Sequence, residues 1–232
     1  MEYYPLTTPQ QNIWNLQKYY ADTAISNLCG AVFYQEKRSE ALMKQSIRQF
    51  INSQSGIRLR FHEGEEPMQY VGPEDREDIP VLNFPSMEEF DRYAEEFACR
   101  PLGLTDRAMY RFVVFHVEER SGILVALSHL VADAWTFGLM ANQIDVAYRR
   151  LEKEADEPLI QGDYRAFIEK ETLYFSSERC RKDRTYWEQT YVDRPEESPV
   201  RLRSIPDTSV AAKRVTGVLP FSLERKLDEV LY

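Results

Sequence analysis

The alternation of apolar and polar positions divides this chain into strands and helices. Ile123 to Leu127 (ILVAL) is an unbroken apolar run, short enough to predict a buried strand, and Tyr110 to Val117 predicts a second one beside it. The polar stretch Glu118-Glu119-Arg120-Ser121-Gly122 between them predicts a hairpin turn. Asn27 to Gln35 (NLCGAVFYQ) predicts another strand. Gly56-Ile57-Arg58-Leu59-Arg60-Phe61 alternates like a strand with one wet face, which makes Arg58 and Arg60 surface residues by default. Met68 to Val71 can pair with it across the turn at Glu63-Gly64-Glu65.

Helical spacing governs most of the rest. Thr8-Pro9-Gln10-Gln11 predicts a helix start, with Thr8 as N-cap, Pro9 at the first helical position and Gln11 closing a capping box. Ile13, Leu16 and Tyr20 share a face as far as about Ala21. Ser39 caps a second helix with the stripe Leu42, Met43, Ile47, Phe50 and Ile51. A loop containing Pro73, Pro80 and Pro85 leads to Ser86-Met87-Glu88-Glu89, which opens a helix through Phe90, Tyr93, Ala94 and Phe97. Pro101-Leu102-Gly103-Leu104 ends it. After Trp135 a helix runs to about Glu154 with Phe137, Met140, Ile144 and Ala147 or Tyr148 inward.

Asp163 to Tyr191 is helical with a break near Ser176-Ser177. Its aromatics (Tyr164, Phe167, Tyr174, Phe175, Tyr186, Trp187 and Tyr191) are assigned to core packing. Pro195, Pro199 and Pro206 mark a linker, Arg214 to Leu219 predicts a strand, and Ser222 caps a helix that Tyr232 cuts after about three turns. That ending leads to the expectation of a fragment of something longer. Strands alternating with helices, with at least one hairpin, predict an α/β layered domain with a mixed sheet.

Composition narrows the function classes. With 43% hydrophobic and 29% charged residues, the 232-residue chain has the make-up of a globular protein. A net charge of -9 argues against a nucleic-acid partner, since the Lys and Arg of Arg179 to Arg184 are interleaved with Asp183. No apolar run approaches the roughly 20 residues of a membrane helix, and MEYYPLTTPQQ has no basic leader or apolar signal core. A cytoplasmic protein without a membrane partner is expected. Cys29, Cys99 and Cys180 are scattered and odd in number, which predicts neither a disulfide framework nor a metal site.

The candidate chemistry lies where the apolar run ends. Ser128, His129, Asp133, Ala134 and Trp135 follow it directly, at the exit of a strand, where catalytic groups are commonly displayed. An imidazole with an ordinary pKa near 6.5 accepts and returns protons at neutral pH. His129 and Asp133 are therefore the leading pair. Strand alternation turns the Ser128 side chain away from that of His129, which makes Ser128 a structural residue and not a nucleophile. His62 and His116 are read as ordinary surface or core histidines.

Several separated landmarks together resemble one family, the condensation domains of nonribosomal peptide synthetases, which share the chloramphenicol acetyltransferase-like fold. Tyr4-Pro5-Leu6-Thr7-Thr8-Pro9-Gln10-Gln11 with Trp14 resembles its opening motif, and Ile57-Arg58-Leu59-Arg60-Phe61 its L-R-T-R-F motif. Pro101-Leu102 and Tyr110-Arg111-Phe112 resemble the segment before the central hairpin, Ser128 to Ala134 the His-His-x-x-x-Asp-Gly signature, and Tyr186-Trp187 a pair beyond it. Ser128 stands for the first His of that signature and Ala134 for its Gly.

The resemblance implies a chloramphenicol acetyltransferase-like lobe of α/β class, an α+β two-layer sandwich whose mixed sheet is covered by helices. Residues 1–195 would form the N-terminal lobe, 196–213 a linker, and 214–232 the start of a C-terminal lobe that the fragment lacks. It implies amide formation between a donor acyl or peptidyl thioester and an acceptor aminoacyl thioester. Both substrates ride on the phosphopantetheine of carrier proteins, with adenylation and carrier domains as neighbours and no directly bound cofactor or metal. His129 would be the catalytic group. Asp133 would form an ion pair with Arg58, or with Arg60 as the fallback, while Ser128, Ala134 and Trp135 shape the site. The fragment alone is expected to be inactive. The same signature also serves free-standing acyltransferases using CoA or carrier thioesters and epimerisation domains. Ser128 and Ala134 motivate a third reading, a catalytically degenerate carrier-docking domain.

Overall fold

The apolar run becomes the second strand of a four-stranded sheet. In the computed structural model, which describes residues 2–153 and 157–193 together with Val218, Pro220, Phe221, Leu223 and Lys226, strand β7 (Arg120–Ser128) is buried along almost its whole length. It lies between β2 (Asn27–Tyr34) and β6 (Tyr110–Val117), antiparallel to both, and β5 (Val81–Phe84) runs parallel to β6 at the edge. A smaller antiparallel sheet takes the order β1 (Tyr4–Pro5), β4 (Met68–Val71), β3 (Leu59–His62).

Burial of β7 without alternation follows from cover on both faces. Ile123, Val125 and Leu127 pack with Met43, Ile47 and Phe50 of α2 (Glu40–Ser53) and Met140 and Ile144 of α4 (Ala134–Leu151). Leu124 and Ala126 face the other way, against Phe90 and Phe97 of α3 (Met87–Ala98). Each such fully buried Leu, Ile, Val or Phe side chain contributes roughly 1.5–3 kcal/mol. A third cluster, with Leu6, Trp14 of α1 (Thr8–Tyr19), Leu59, Phe61, Met109 and Leu130, joins the small sheet to the end of β7.

The mixed sheet and the helix order agree with the expectations, and the differences have local causes. Helix α1 begins one residue early. Its cap is Thr7, whose backbone N–H and hydroxyl both donate to Gln10 Oε1 at 2.9 Å. Thr7/Thr8 and Gln10/Gln11 offer the same spacing twice, and burial of Thr7 and Gln10 selects between them. Strand β5 falls inside the segment read as a loop, because four residues between Pro80 and Pro85 carry too little pattern to register. The hairpin turn is only Glu118-Glu119, with Glu118 at φ 54°, and Ser121 and Gly122 belong to the strand. Ser121 is buried there, donating to Glu36 O and accepting from Arg38 N–H.

Arg60 is not a surface residue. It is 9% exposed and folds its guanidinium back on the carbonyls of Arg58 and Leu59, at 3.2 and 3.0 Å. The aromatics of α5 (Tyr164–Phe175) and α6 (Glu178–Thr190) depart furthest from expectation. Phe167, Tyr174, Phe175, Tyr186, Trp187 and Tyr191 are 37–60% exposed, because α5 and α6 pack mainly against each other among the described elements.

Contacts divide the chain into two units, Met1–Asp193 and Arg194–Tyr232. In the second, Phe221, Leu223 and Lys226 are helical. The expected linker 196–213, the cap Ser222 and, apart from Val218, the strand at Arg214–Leu219 lie outside the described residues. No described helix is long and apolar enough to cross a membrane.

Gly122 pairs with both Phe33 and Phe115, and a Cβ there would run into the Phe115 ring and the Val32 carbonyl. Gly122→Ala is expected to cost about 1–3 kcal/mol, read as a lower urea midpoint at unchanged slope. An unchanged midpoint would contradict this packing.

A candidate active site where the central strand leaves the sheet

Backbone hydrogen bonds fix the exit of β7. Ser128 N–H donates to Met109 O and His129 N–H to Ser26 O, both at 2.8 Å. Ser128 Oγ accepts from Leu130 N–H at 3.2 Å, and Val131 N–H closes the turn on Ser128 O at 3.0 Å. Ser128 is thus buried and occupied with its own turn, while the next side chain, His129, is exposed. His129 faces an open cleft of about 380 Å³ bounded by Pro9, Ile13, Val131, Asp133, Tyr164 and Phe167, among others. Among the described residues, neither imidazole nitrogen of His129 has a protein hydrogen-bond partner. The ring is therefore available to a substrate.

Tyr164 and Phe167 reach the cleft because the chain before α5 is stitched to the end of α2. Gly162 N–H donates to Ser53 O at 3.0 Å, and Tyr164 N–H to Ser55 Oγ at 2.7 Å.

Asp133 caps α4. Its Oδ1 accepts from Thr136 N–H and Thr136 Oγ1–H, each at 2.9 Å, and its own N–H donates to Thr136 Oγ1 at 3.1 Å. The Thr136 N–H and then its hydroxyl hold the Asp133 carboxyl below the usual carboxylate range, with a smaller contribution from nearby His129. The expected ion pair with Arg58 is not formed. Arg58 donates from Nη1 to Gly72 O at 3.1 Å, and among the described residues no carboxylate lies in ion-pair range of Arg58 or Arg60. The physical reason is local: the helix N-terminus offers Asp133 donors within three residues, and Arg58 sits in the turn before β3, aimed at the end of β4. Ala134 opens α4 without positive φ, so no glycine is required there, and Trp135 beside it is 85% exposed.

Two residues carry a role that the sequence did not assign, Gln10, which it placed only in the opening motif, and Gln69. Gln10 Nε2 donates to Leu130 O at 3.1 Å and to Gln69 Oε1 at 2.9 Å, and Gln69 Nε2 returns a bond to Gln10 Oε1 at 2.8 Å. Both are buried, tying α1 and β4 to the His129 loop. The available signal was Gln69 itself, a polar residue inside a strand.

The other titratable groups lie elsewhere. His62 Nδ1 is 3.0 Å from Asp106 Oδ2, and His116 Nε2 is 3.2 Å from Glu40 Oε1. Burial pushes the Cys29 thiol up, away from a reactive thiolate. Among the described residues there is no disulfide and no cluster of three or more metal-ligating side chains.

A family model of the condensation domain matches residues 1–231, and the chain belongs to the condensation-domain family. Surfactin synthase subunit 1 of Bacillus subtilis (strain 168) is 29% identical over 237 residues, covering 97% of this chain and 7% of that protein. The dimodular nonribosomal peptide synthase of the same organism is 26% identical over 233 residues, covering 97% and 10%. The starter condensation domain of rhizomide synthetase RzmA superposes with a TM-score of 0.76 at 19% identity, over 82% of this chain and 48% of that one. The first condensation domain of the calcium-dependent antibiotic synthetase gives 0.75 at 20% identity, over 84% and 49%. The fold is therefore the chloramphenicol acetyltransferase-like fold of condensation domains. The chain spans about half the length of those solved domains and a tenth or less of the two synthases.

Asp133→Ala is expected to cost about 1 kcal/mol at neutral pH through the lost cap. Because the folded pKa is depressed, this contribution is full above the unfolded value of about 3.9 and fades as pH falls through the lower folded one. Without an ion pair, Arg58→Ala and Asp133→Ala should add to within about 0.5 kcal/mol in denaturant unfolding. A larger coupling would restore the pair.

Proposed function

We propose that this chain supplies the His129 wall of an amide-forming condensation site in a nonribosomal peptide synthetase. The acceptor amine attacks the donor thioester carbonyl, the C–N bond forms, the C–S bond breaks, and the donor thiol leaves with the proton the amine gives up. A thioester is already activated, so holding both ends together and managing one proton carries most of the catalysis. His129 positions the amine or takes its proton. The observation that carries this reading is an imidazole with no hydrogen-bond partner among the described residues, displayed at the exit of a doubly buried strand in a chain of this family.

Substrates arrive on the phosphopantetheine arms of carrier proteins, with adenylation and carrier domains as neighbours, in keeping with the synthase relatives. The catalytically degenerate reading is weaker. Ser128 is held in the β7 turn and lines a different cleft from His129, and Ala134 sits in helical backbone, so neither departure from the signature is hydrogen-bonded to the imidazole.

The cleft also speaks to the donor. A second cleft of about 330 Å³, lined by Phe50, Ile57 and Leu139, shares Val131, Thr136, Tyr164 and Phe167 with that of His129. A mostly apolar groove that adjoins the cleft of the reacting group, with Gln54 and Asp163 as polar groups in its wall, suits a donor with a hydrocarbon chain. A variant of the RzmA starter condensation domain is solved with C8-CoA, at a TM-score of 0.80 and 20% identity over 88% of this chain and 49% of that one.

Two measurements test these statements in the protein that carries the whole domain. With loaded donor and acceptor carriers, His129→Ala should lower product formation by a factor of roughly 100 or more, and equal rates would remove His129 from the chemistry. Wild type should prefer octanoyl over acetyl donors by up to about fourfold in kcat/KM per buried methylene, and Leu139→Trp should shrink that preference. Equal kcat/KM for both donors would refute the hydrocarbon groove.

A further inference from the structure

We infer that Gln10, locked by Gln69 and Thr7, is the positioning residue of the active-site histidine. The inference rests on His129 being the reacting group and assigns what holds it. The three peptide planes around His129 and Leu130 are each anchored. Ser26 O takes the N–H of the first plane at 2.8 Å, and Ser128 Oγ takes that of the second at 3.2 Å. The third is held at both ends, its N–H by Ser128 O at 3.0 Å and its carbonyl, Leu130 O, by Gln10 Nε2 at 3.1 Å.

Of the four anchors, Gln10 is the only side chain that reaches in from another element, across 120 residues of sequence. The Leu130 side chain, 3% exposed among Leu6, Trp14, Leu59, Phe61 and Met109, cannot swing out to compensate. Releasing its carbonyl leaves the third plane held only by the Val131 N–H on Ser128 O, the carbonyl of the plane that leads into His129, so the loosening reaches the imidazole through that bond.

Gln10 has no freedom of its own. Both its amide hydrogens are used, on Gln69 Oε1 and Leu130 O, and its oxygen accepts from Thr7 N–H, Thr7 Oγ1–H and Gln69 Nε2. Gln69 spends its two hydrogens on Gln10 Oε1 and on Pro5 O at 2.8 Å. Flipping either amide would set nitrogen against nitrogen, and at 3% and 0% exposure no solvent replaces a lost partner. The bridge is neutral, so it fixes geometry beside His129 without adding a charge there.

The test uses the three histidines of the chain as reporters. Imidazole carbon–proton NMR signals of the intact chain, with that of His129 assigned by its loss in His129→Ala, are compared in wild type and Gln10→Met, which keeps side-chain length but has no amide. The expected result is splitting or exchange broadening of the His129 signal, with those of His62 and His116 unchanged. In the protein with the complete domain, kcat should fall by about tenfold to a hundredfold at unchanged acceptor KM. No change at His129, an equal change at all three histidines, or an unchanged kcat overturns the inference. Should Gln10→Met not fold, Thr7→Val, which removes one bond to Gln10 Oε1, is expected to broaden the same signal to a smaller degree, and an unperturbed His129 signal then overturns it. Unchanged product formation by His129→Ala would instead strike the proposed reaction, while the NMR outcome continues to report on the bridge.

Discussion

Everything in the first unit is placed by the burial of β7 on both faces. A strand that must bury both sets of side chains requires a layer on each side, and α2 with α4 on one face and α3 on the other supply them. Its neighbours must then be long partners in fixed register, eight residues each in β2 and β6. Slipping by one residue would exchange Ile123, Val125 and Leu127 with Leu124 and Ala126 and mismatch both layers at once. The point where β7 ends is thus set by the whole core, and His129 is the first exposed residue beyond it.

From that point the loop is held mainly by uncharged hydrogen bonds. Asp133 spends its carboxylate on the N-terminus of α4, where helix donors and the positive end of the helix dipole are supplied by the fold itself. An ion pair with Arg58 would have had to pay for desolvating two charges, and the cap satisfies the acid with groups only three residues away. Arg58 and Arg60 turn to backbone carbonyls of the small sheet instead.

What the sequence made legible follows the range of each interaction. The central hairpin, the helices and the break at Ser176-Ser177 rest on patterns within a dozen residues, and they were readable. Helix α1 was displaced by one position because the choice between Thr7 and Thr8 is made by burial against β4, far along the chain. Strand β5 was hidden by its shortness and its prolines. Arg60 alternates like a wet-face residue, yet carbonyls within two residues take its guanidinium. The residues Ser128 to Trp135 were visible as a cluster through their adjacency to the apolar run. The pairing of Gln10 with Gln69 was not, because an amide pair formed across 59 residues leaves no local periodicity.

The distribution of indole side chains gives the molecule an optical vocabulary of its own. The chain has three tryptophans, in three environments: Trp14 is sealed in the cluster beneath the His129 loop at 4% exposure, Trp187 stands half open on α6 at 54%, and Trp135 is almost fully solvated at 85%. Trp14 therefore emits from an apolar medium, beyond the reach of an aqueous quencher, and reports on the integrity of the core. Trp135, two residues past the Asp133 cap, emits from water. Its sequence neighbours Asp133 and Thr136 line the His129 cleft, so the emission of Trp135 is placed to report on a molecule that settles beside them.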